Sequence, residues 1–154
     1  LGSHVVFLRP LGLRLDLIRE NLERMNRRNV EVQVYDATVH DPEKEKYADV
    51  VLMDVPCSGL GVMGKKRDIK YHATPESLQS ITELQRQIVA AGWQYVKPHG
   101  VLLYSTCTIH RGENQEMAVW ITENFPFVLE EERQLLPGTD ETDGFYYARL
   151  RRKA

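Results

Sequence analysis

The sequence lacks the marks of membrane-spanning, disulfide-stabilised and strongly basic proteins. Its longest apolar runs are strand-sized pieces such as residues 101–104, far below the roughly 20 residues that a membrane helix needs. With only two cysteines and no signal-peptide pattern at its start, the chain is expected in the reducing cytoplasm and not at a membrane. Its formal net charge of -2 excludes a whole-protein basic field, so any nucleic-acid site must be local.

The composition is that of one globular domain. Hydrophobic residues make up 42% and charged residues 27% of the 154 residues, a balance that excludes a wholly disordered chain. We therefore predict a single domain over residues 1–154, of which residues 1–4 have the composition of an expression-tag remnant.

The spacing of apolar residues predicts strand and helix repeats followed by two strands. Apolar positions three and four apart over residues 11–25 predict an amphipathic helix, and alternation over residues 30–35 predicts an edge strand. Residues 48–53 are apolar except for Asp49, the pattern of a central parallel strand. Further elements are predicted as a helix at 74–95, a break at 97–100, a strand at 101–104, a helix at 113–123 and strands at 125–130 and 145–150. This order predicts an α/β fold with a mostly parallel sheet.

Two aspartates and both cysteines follow predicted strands at their carboxyl ends. They are Asp36, Asp54, Cys57 and Cys107. Because the carboxyl ends of parallel strands form the edge where open α/β sheets bind ligands, we expect these side chains to lie together. Other interpretations of the cysteines are small buried hydrophobes, a redox pair or metal ligands, although two thiols 50 residues apart lack a zinc-like spacing.

Three motifs together resemble those of the RNA cytosine carbon-5 methyltransferases. A Pro-Cys loop occurs in Asp-Val-Pro-Cys-Ser-Gly at 54–59, a Thr-Cys loop in Tyr-Ser-Thr-Cys-Thr at 104–108, and Glu-Asn-Gln-Glu follows at 113–116. The segment at 143–150 is also similar to that family's final strand. The resemblance runs from about Leu11 to the end and is strongest to the bacterial Sun or Fmu branch, which modifies small-subunit ribosomal RNA.

The resemblance implies a Rossmann-like class I fold that uses S-adenosylmethionine to methylate carbon 5 of cytosine in RNA, with ribosomal RNA as the partner. It implies that Cys107 adds to carbon 6 of the base as the nucleophile and that Cys57 assists release of the product. It also implies that Asp54 hydrogen-bonds the base and faces the cofactor, and that Asp36 contacts the adenosine. The alternatives from local sequence are a loop-capping role for Asp54 and a turn-forming role for Asp36.

Basic residues follow the Pro-Cys loop and are candidates for contacts with RNA phosphates. They are Lys65, Lys66, Arg67 and Lys70. Their place beside the expected active edge favours this role, because Lys and Arg bind phosphate backbones, and a solvated loop is the alternative. The target cytosine would have to be unpaired or flipped out to reach the thiol.

Two features that the resemblance implies for a cofactor site are missing. No glycine-rich strand-to-helix turn precedes Leu11, and Arg9 stands near the place of a ribose-binding acid. We therefore expect a partial catalytic domain that begins near the second strand of the fold and lacks the first strand and the glycine-rich loop. That omission would leave a gap beside the strand ending at Asp54, so we expect self-association or a rearranged amino-terminal segment.

Two other functions are compatible with the sequence. Asp-Val-Pro-Cys loosely resembles the Asp-Pro-Pro-Tyr loops of amino-group methyltransferases, and the fold could also serve as a non-catalytic RNA-binding module. Replacing Cys107 by Ala separates the first of these from carbon-5 methylation. Measured affinity for S-adenosylmethionine distinguishes a methyltransferase from the second alternative, a non-catalytic RNA-binding module.

Overall fold

The computed structural model describes residues 5–8, 15–27, 30, 32–65 and 68–154. In chain order, the elements of these residues are β1 (Val5–Leu8), α1 (Leu15–Arg24), β2 (Ala48–Asp54), α2 (Ile69–His72), α3 (Pro75–Gly92), β3 (Val96–Thr106), α4 (Gln115–Asn124), β4 (Phe127–Leu135) and β5 (Phe145–Arg152). None of the helices in these ranges has the length and apolar character required to span a lipid bilayer.

The strands form one sheet in the order β1-β2-β3-β5-β4. The pairs β1 with β2 and β2 with β3 are parallel, whereas β5 runs antiparallel to both β3 and β4. The predicted α/β class is confirmed. The sheet is mixed because its last two strands in sequence form an antiparallel pair.

β2 and β3 lie in the sheet interior and supply much of the core. Val51 and Met53 on β2 and Leu102 and Tyr104 on β3 have no exposed surface. Ile88 of α3 belongs to the same buried cluster. Full burial of an apolar side chain contributes about 1.5–3 kcal/mol relative to exposure, so this packing fixes the two strands from which the cysteine loops leave.

Helix α3 begins at the predicted Thr74 boundary. Thr74 Oγ1 accepts a hydrogen bond from the Ser77 N–H at 3.2 Å, and Ser77 Oγ accepts one from the Thr74 N–H at 2.9 Å. This capping box satisfies backbone donors that the first turn leaves without helical partners, and Pro75 removes only a donor of the same kind. The helix ends at Gly92, and residues 93–95 of the predicted helix form a 3-10 turn.

Residues 97–100, which we predicted to end the preceding helix, follow its last turn as predicted and lie within β3, which begins earlier than the predicted residue 101. The register between β2 and β3 shifts at this level, and His99 has a φ of 64°. The segment is therefore accommodated as an irregularity of the strand. Lys97 on this segment donates to both carboxylate oxygens of Asp49 on β2, at 3.0 and 3.1 Å.

The predicted strand at residues 30–35 is wrong for the described residues of that segment. None of them has strand conformation, and Val30 and Val34 are 49% and 67% exposed. Alternating apolar residues form a strand only beside a partner that takes their backbone hydrogen bonds, and no strand of the described sheet lies there. The Tyr35 hydroxyl instead donates to Val39 O at 2.7 Å, across the turn that follows.

β1 occupies the place beside β2 where we expected a gap. Val5–Leu8 pair in parallel register with residues 50–53 of β2. The described sheet is therefore continuous on this side, without the expected gap, and rearrangement of the amino-terminal segment stays a prediction. Self-association stays a prediction.

Candidate active site

The two cysteines meet at the carboxyl ends of β2 and β3. Asp54 at the end of β2 pairs in register with Ser105 of β3, so the loops that follow leave the sheet side by side. The Sγ atoms of Cys57 and Cys107 are 2.9 Å apart, and the Cys107 N–H donates to Cys57 Sγ at 3.3 Å. The expected meeting of both cysteines at one edge of the sheet is confirmed.

The hydrogen bond between the two thiols gives them different acidities. The hydrogen bond with Cys57 lowers the pKa of Cys107 to about 7, against the opposing effects of burial and of the Asp54 carboxylate. The same hydrogen bond raises the pKa of Cys57 well above its ordinary value, and burial adds to the rise. Cys107 is therefore the thiol that ionises near neutral pH, and the thiolate is the nucleophilic form of cysteine.

This geometry bears on the other interpretations of the cysteines. Both side chains are free thiols and half-buried, so neither is an enclosed hydrophobic residue. Within the part of the chain that the structure describes, no group of three or more His, Cys, Asp or Glu side chains is placed to hold a metal ion. The arrangement is that of a close thiol pair in which the pKa of Cys107 is lowered and that of Cys57 is raised.

Two buried polar side chains hold the backbone on either side of Cys57. Gln85 Nε2 donates to Pro56 O at 2.8 Å, and Glu113 Oε2 accepts a hydrogen bond from the Ser58 N–H at 2.9 Å. Gln85 Nε2 also donates to Glu113 Oε2 at 3.0 Å. The two anchors of the Cys57 loop are thus joined to each other.

Asn114 holds both neighbours of Cys107. Its Oδ1 accepts a hydrogen bond from Thr106 Oγ1 at 2.6 Å, and its Nδ2 donates to Thr108 O at 3.0 Å. The Asn114 side chain is fully buried and also donates from Nδ2 to Gln134 Oε1 at 2.7 Å. The backbone of the Cys107 loop is therefore fixed on both sides of the thiol.

Sequence reasoning missed Gln85, Glu113 and Asn114 as site residues. Gln85 carried a signal, because it stands four residues after Ile81 and three before Ile88, at helical spacing with the apolar face of α3. A polar side chain at such a position needs a buried partner. The other two belong to the motif at 113–116, which marks the family resemblance but does not show which loop each side chain binds.

Gly61 and Gly144 approach each other closely, which brings the two cysteine loops into contact with the loop before β5. The Gly61 N–H donates to Cys107 O at 3.2 Å, and the Gly144 N–H donates to Gly61 O at 2.8 Å. A Cβ at Gly61 would lie 2.2 Å from Gly144 O, closer than real contacts allow. The site therefore needs glycine at position 61 for space rather than for backbone conformation.

The two predicted aspartates have different surroundings. Asp54 is half-buried where β2 ends, and Ser105 Oγ donates to its Oδ1 at 3.4 Å. Asp36 is exposed, and Thr38 donates to Asp36 Oδ1 from Oγ1 at 2.7 Å and from its N–H at 3.0 Å. These two hydrogen bonds hold the pKa of Asp36 below its usual range. Asp36 has the turn-forming arrangement of the alternative interpretation, and its contact with adenosine stays a prediction.

The predicted RNA-contacting residues are described only in part. Lys65 Nζ lies 2.5 Å from Asp143 Oδ2 in an exposed ion pair, with which a phosphate would compete. Lys66 and Arg67 lie outside the described residues, as does the side chain of Lys70, whose backbone belongs to α2. Contact between these residues and RNA stays a prediction.

Comparison with known proteins identifies the family. The sequence profile of the family described as 16S rRNA methyltransferase RsmB/F matches residues 3–151. The chain belongs to this family. The resemblance to the bacterial branch that modifies small-subunit ribosomal RNA is thereby confirmed.

The curated relatives are much longer than this chain. Each match covers nearly all of this chain but only a minor part of the relative. Ribosomal RNA small subunit methyltransferase F of Escherichia fergusonii is 32% identical over 157 residues, which cover 90% of this chain and 33% of the relative. The chain thus spans about a third of the length of the curated relatives that it matches.

Solved structures confirm the fold expected of an RsmB/F protein. The crystal structure of PH0851 superposes with a TM-score of 0.86 at 30% sequence identity. The match covers 97% of this chain and 37% of the PH0851 chain. NSun6 from Pyrococcus horikoshii, solved with SFG, superposes with a TM-score of 0.80 at 25% sequence identity. The match covers 99% of this chain and 42% of the NSun6 chain. The predicted Rossmann-like methyltransferase fold is therefore confirmed.

Proposed function

We propose that this chain methylates carbon 5 of a cytosine in RNA, with ribosomal RNA as the substrate and S-adenosylmethionine as the methyl donor. The family is described as acting on 16S rRNA, and the relative from Escherichia fergusonii is named for ribosomal RNA of the small subunit. The observation that carries the proposal is the pair of thiols 2.9 Å apart, of which Cys107 is the more acidic.

A thiolate is the group that this reaction needs first. Carbon 5 of cytosine is a weak nucleophile until a nucleophile has added to the neighbouring carbon 6. In the proposed reaction the Cys107 thiolate forms the S–C6 bond, and electron density rises on carbon 5. Carbon 5 then takes the methyl group that S-adenosylmethionine supplies and loses its proton to a base. The electrons of the C5–H bond restore the ring double bond while the S–C6 bond breaks, which returns Cys107 as a thiolate.

The remaining site residues take supporting roles in this proposal. Asp54, at the same edge as Cys107, hydrogen-bonds the base near ring nitrogen 3 and the amino group and stabilises the charge that develops during addition. Cys57 assists release of the methylated base. Asp36 holds the adenosine, and Asp54 also faces the donor. An exposed carboxylate fits an adenosine because it has acceptor capacity beyond the two hydrogen bonds from Thr38.

The RNA backbone is proposed to lie along the segment that follows the Pro-Cys loop. Lys65, Lys66, Arg67 and Lys70 would neutralise phosphates there. A cytosine stacked in a duplex cannot reach Cys107, so the substrate is a single-stranded or flipped-out base. We place the activity in the cytoplasm, the compartment in which a free thiol pair stays reduced.

The proposal is tested with small-subunit ribosomal RNA, labelled S-adenosylmethionine and three forms of the chain. Wild type is expected to transfer label to cytosine carbon 5, Cys57→Ala to accumulate a covalent complex with RNA, and Cys107→Ala to do neither. Calorimetry comes first, because a lack of S-adenosylmethionine binding at micromolar concentrations, about -8 kcal/mol, would contradict the proposal for this chain. Label transfer that persists in Cys107→Ala would instead favour methylation of an amino group.

A further inference from the structure

Gln85 is a fully buried amide on a helix face that is otherwise apolar. Its side chain has no exposed surface, and its Nε2 donates to Pro56 O at 2.8 Å and to Glu113 Oε2 at 3.0 Å. Both partners are acceptors, so the nitrogen of the amide must point to them. The Gln85 Oε1 atom is buried without a partner, which costs free energy. The fold alone would favour an apolar residue here, so the contribution of Gln85 lies in the two bonds that it donates.

Glu113 is the second buried group of this set. Its carboxylate has no exposed surface, and Oε2 accepts from the Ser58 N–H at 2.9 Å as well as from Gln85. Its Oε1 has no hydrogen-bond partner and lies 3.4 Å from His110 Nδ1. A buried carboxylate is retained only where hydrogen bonds replace its lost hydration. Both hydrogen bonds that the Glu113 carboxylate receives come from Ser58, which follows Cys57, and from Gln85, which binds the residue before it.

Cys57 stands between the two anchored backbone groups. Gln85 holds the carbonyl of the preceding residue, Pro56, and Glu113 holds the N–H of the following residue, Ser58. With both flanking peptide groups fixed to one joined pair of side chains, the Cys57 thiol has a set place against Cys107, 2.9 Å away.

We propose that Gln85 and Glu113 are a positioning pair that fixes Cys57 beside Cys107 and thereby governs release of the methylated RNA. This inference rests on the proposed function, in which Cys57 assists release. Neither side chain touches the reacting atoms, so both act through Cys57. Misplacement of a reacting group by about 1 Å can slow a step by roughly 100-fold, so loss of the anchor is expected to slow release by about 10- to 100-fold.

The main test replaces Gln85 by Met in the full chain, which keeps the side-chain length and removes both donated bonds. Gln87→Met is the matched control, because Gln87 lies on the same helix, is exposed and bonds only Glu83 among the contacts described. Formation and decay of the covalent complex with ribosomal RNA are followed in a single turnover. Gln85→Met is expected to form the complex no faster than wild type, because the Cys107 thiolate depends on the contact with Cys57, and to retain it as Cys57→Ala does. Gln87→Met is expected to behave as wild type.

The double variant Cys57→Ala with Gln85→Met tests whether Gln85 acts through Cys57. Its complex is expected to decay no more slowly than that of Cys57→Ala alone, because the anchored thiol is already absent. Decay at the wild-type rate in Gln85→Met, or additive slowing in the double variant, would overturn the inference. Gln85→Leu serves in place of the Met variant if circular dichroism shows that the latter does not fold.

A measurement without RNA separates this inference from the proposed function. Alkylation of each cysteine by iodoacetamide is followed by mass spectrometry of the full chain after digestion. Gln85→Met is expected to change the ratio of the Cys57 and Cys107 rates at least threefold, whereas Gln87→Met leaves it unchanged. If no RNA complex forms with any variant, the proposed function fails, and the alkylation ratio still decides whether Gln85 positions Cys57.

Discussion

Ser58 and Thr108, the residues that follow the two cysteines, hydrogen-bond each other through their side-chain hydroxyl groups at 2.8 Å. The bond joins the two loops one residue from each thiol. Thr108 Oγ1 also accepts a hydrogen bond from the His110 N–H at 3.1 Å, so this hydroxyl belongs to the fixed part of its own loop. The distance between the thiols is therefore set by a direct link as well as by the separate anchors of each loop.

This link predicts an energetic coupling between the two hydroxyl groups. In a double-mutant cycle with Ser58→Ala and Thr108→Val, the free energy of unfolding should show a coupling of about 0.5–1.5 kcal/mol. Urea denaturation of the four forms measures it. The cycle cancels the separate loss of the His110 acceptor, since that loss occurs with and without Ser58. Additive effects of the two substitutions would mean that the hydroxyl bond contributes nothing to stability.

The acidity of Cys107 predicts a pH dependence with opposite responses in two variants. Alkylation of Cys107 should rise with pH around a midpoint of about 7, because only the thiolate reacts. In Cys57→Ala the midpoint should move up, because the hydrogen bond that lowers the pKa is lost while burial and the Asp54 charge remain. In Asp54→Asn it should move down, because a nearby negative charge is removed. Rates are measured on the Cys107 peptide by mass spectrometry between about pH 5 and 9, roughly two units either side of the midpoint. Movement of both variants in one direction would contradict this account.

The contact between Gly61 and Gly144 predicts that a single methyl group disrupts the site. Gly61→Ala would place Cβ 2.2 Å from Gly144 O and 2.8 Å from Cys107 O, which are backbone atoms that move only with their loops. We expect a loss of about 1–3 kcal/mol in the free energy of unfolding. Gly64→Ala is the control, because a Cβ there meets nothing within 4 Å among the described residues. Equal stability of the two variants in thermal denaturation would show that the loops adjust freely.

The contacts of His40, in the segment after Asp36, predict that the free energy of unfolding depends on pH. Its Nδ1 lies 2.8 Å from Ala91 O and its Nε2 lies 2.9 Å from Glu45 Oε1, and both partners are acceptors, so the imidazolium satisfies both. The carbonyl of Ala91 and the Glu45 carboxylate raise the pKa of His40. A raised pKa gives stability that is complete below the unfolded-state pKa, about 6.5, and is lost as pH rises through the folded-state value.

The His40 dependence is measured as the free energy of unfolding in urea at several pH values from about 5.5 to 8.5, around the ordinary histidine pKa. Wild type should lose more stability across this range than His40→Gln, because the variant has no imidazole to deprotonate. His72→Gln is the control for an exposed histidine elsewhere in the chain. Parallel curves for wild type and His40→Gln would mean that the imidazolium is not the stabilising form.

The sequence predicted the thiols of the site better than their supports. Cys57 and Cys107 could be placed because each follows a mainly apolar strand, which is a local pattern, and because parallel strands end at one edge of the sheet. The bond from Gln85 to Pro56 joins residues 29 apart, and that from Asn114 to Gln134 joins residues 20 apart. Such contacts depend on how α3 and β4 pack, which a periodic pattern does not determine.

The errors in the predicted fold have the same origin. Residues 30–35 alternate as a strand does, yet strand formation depends on a neighbour that the local pattern cannot supply. Residues 97–100 contain Pro98 and Gly100 and end the helix as predicted, but β3 begins at Val96 because Val96 and Val101, on either side of them, pair with β2. The local signals were correct where burial decides the structure and failed where a distant strand does.

Helix α3 supports both segments of the proposed site. Gln85 on α3 binds the Cys57 loop, and the carbonyl of Ala91, six residues further along, binds His40 in the segment that follows Asp36. Six residues of α-helix span about 9 Å, and a helix keeps this length closely. The distance between the segment after Asp36, which is proposed to hold the methyl donor, and the Cys57 loop, which is proposed to hold the base, therefore depends on α3. A tilt of α3 would move both segments together.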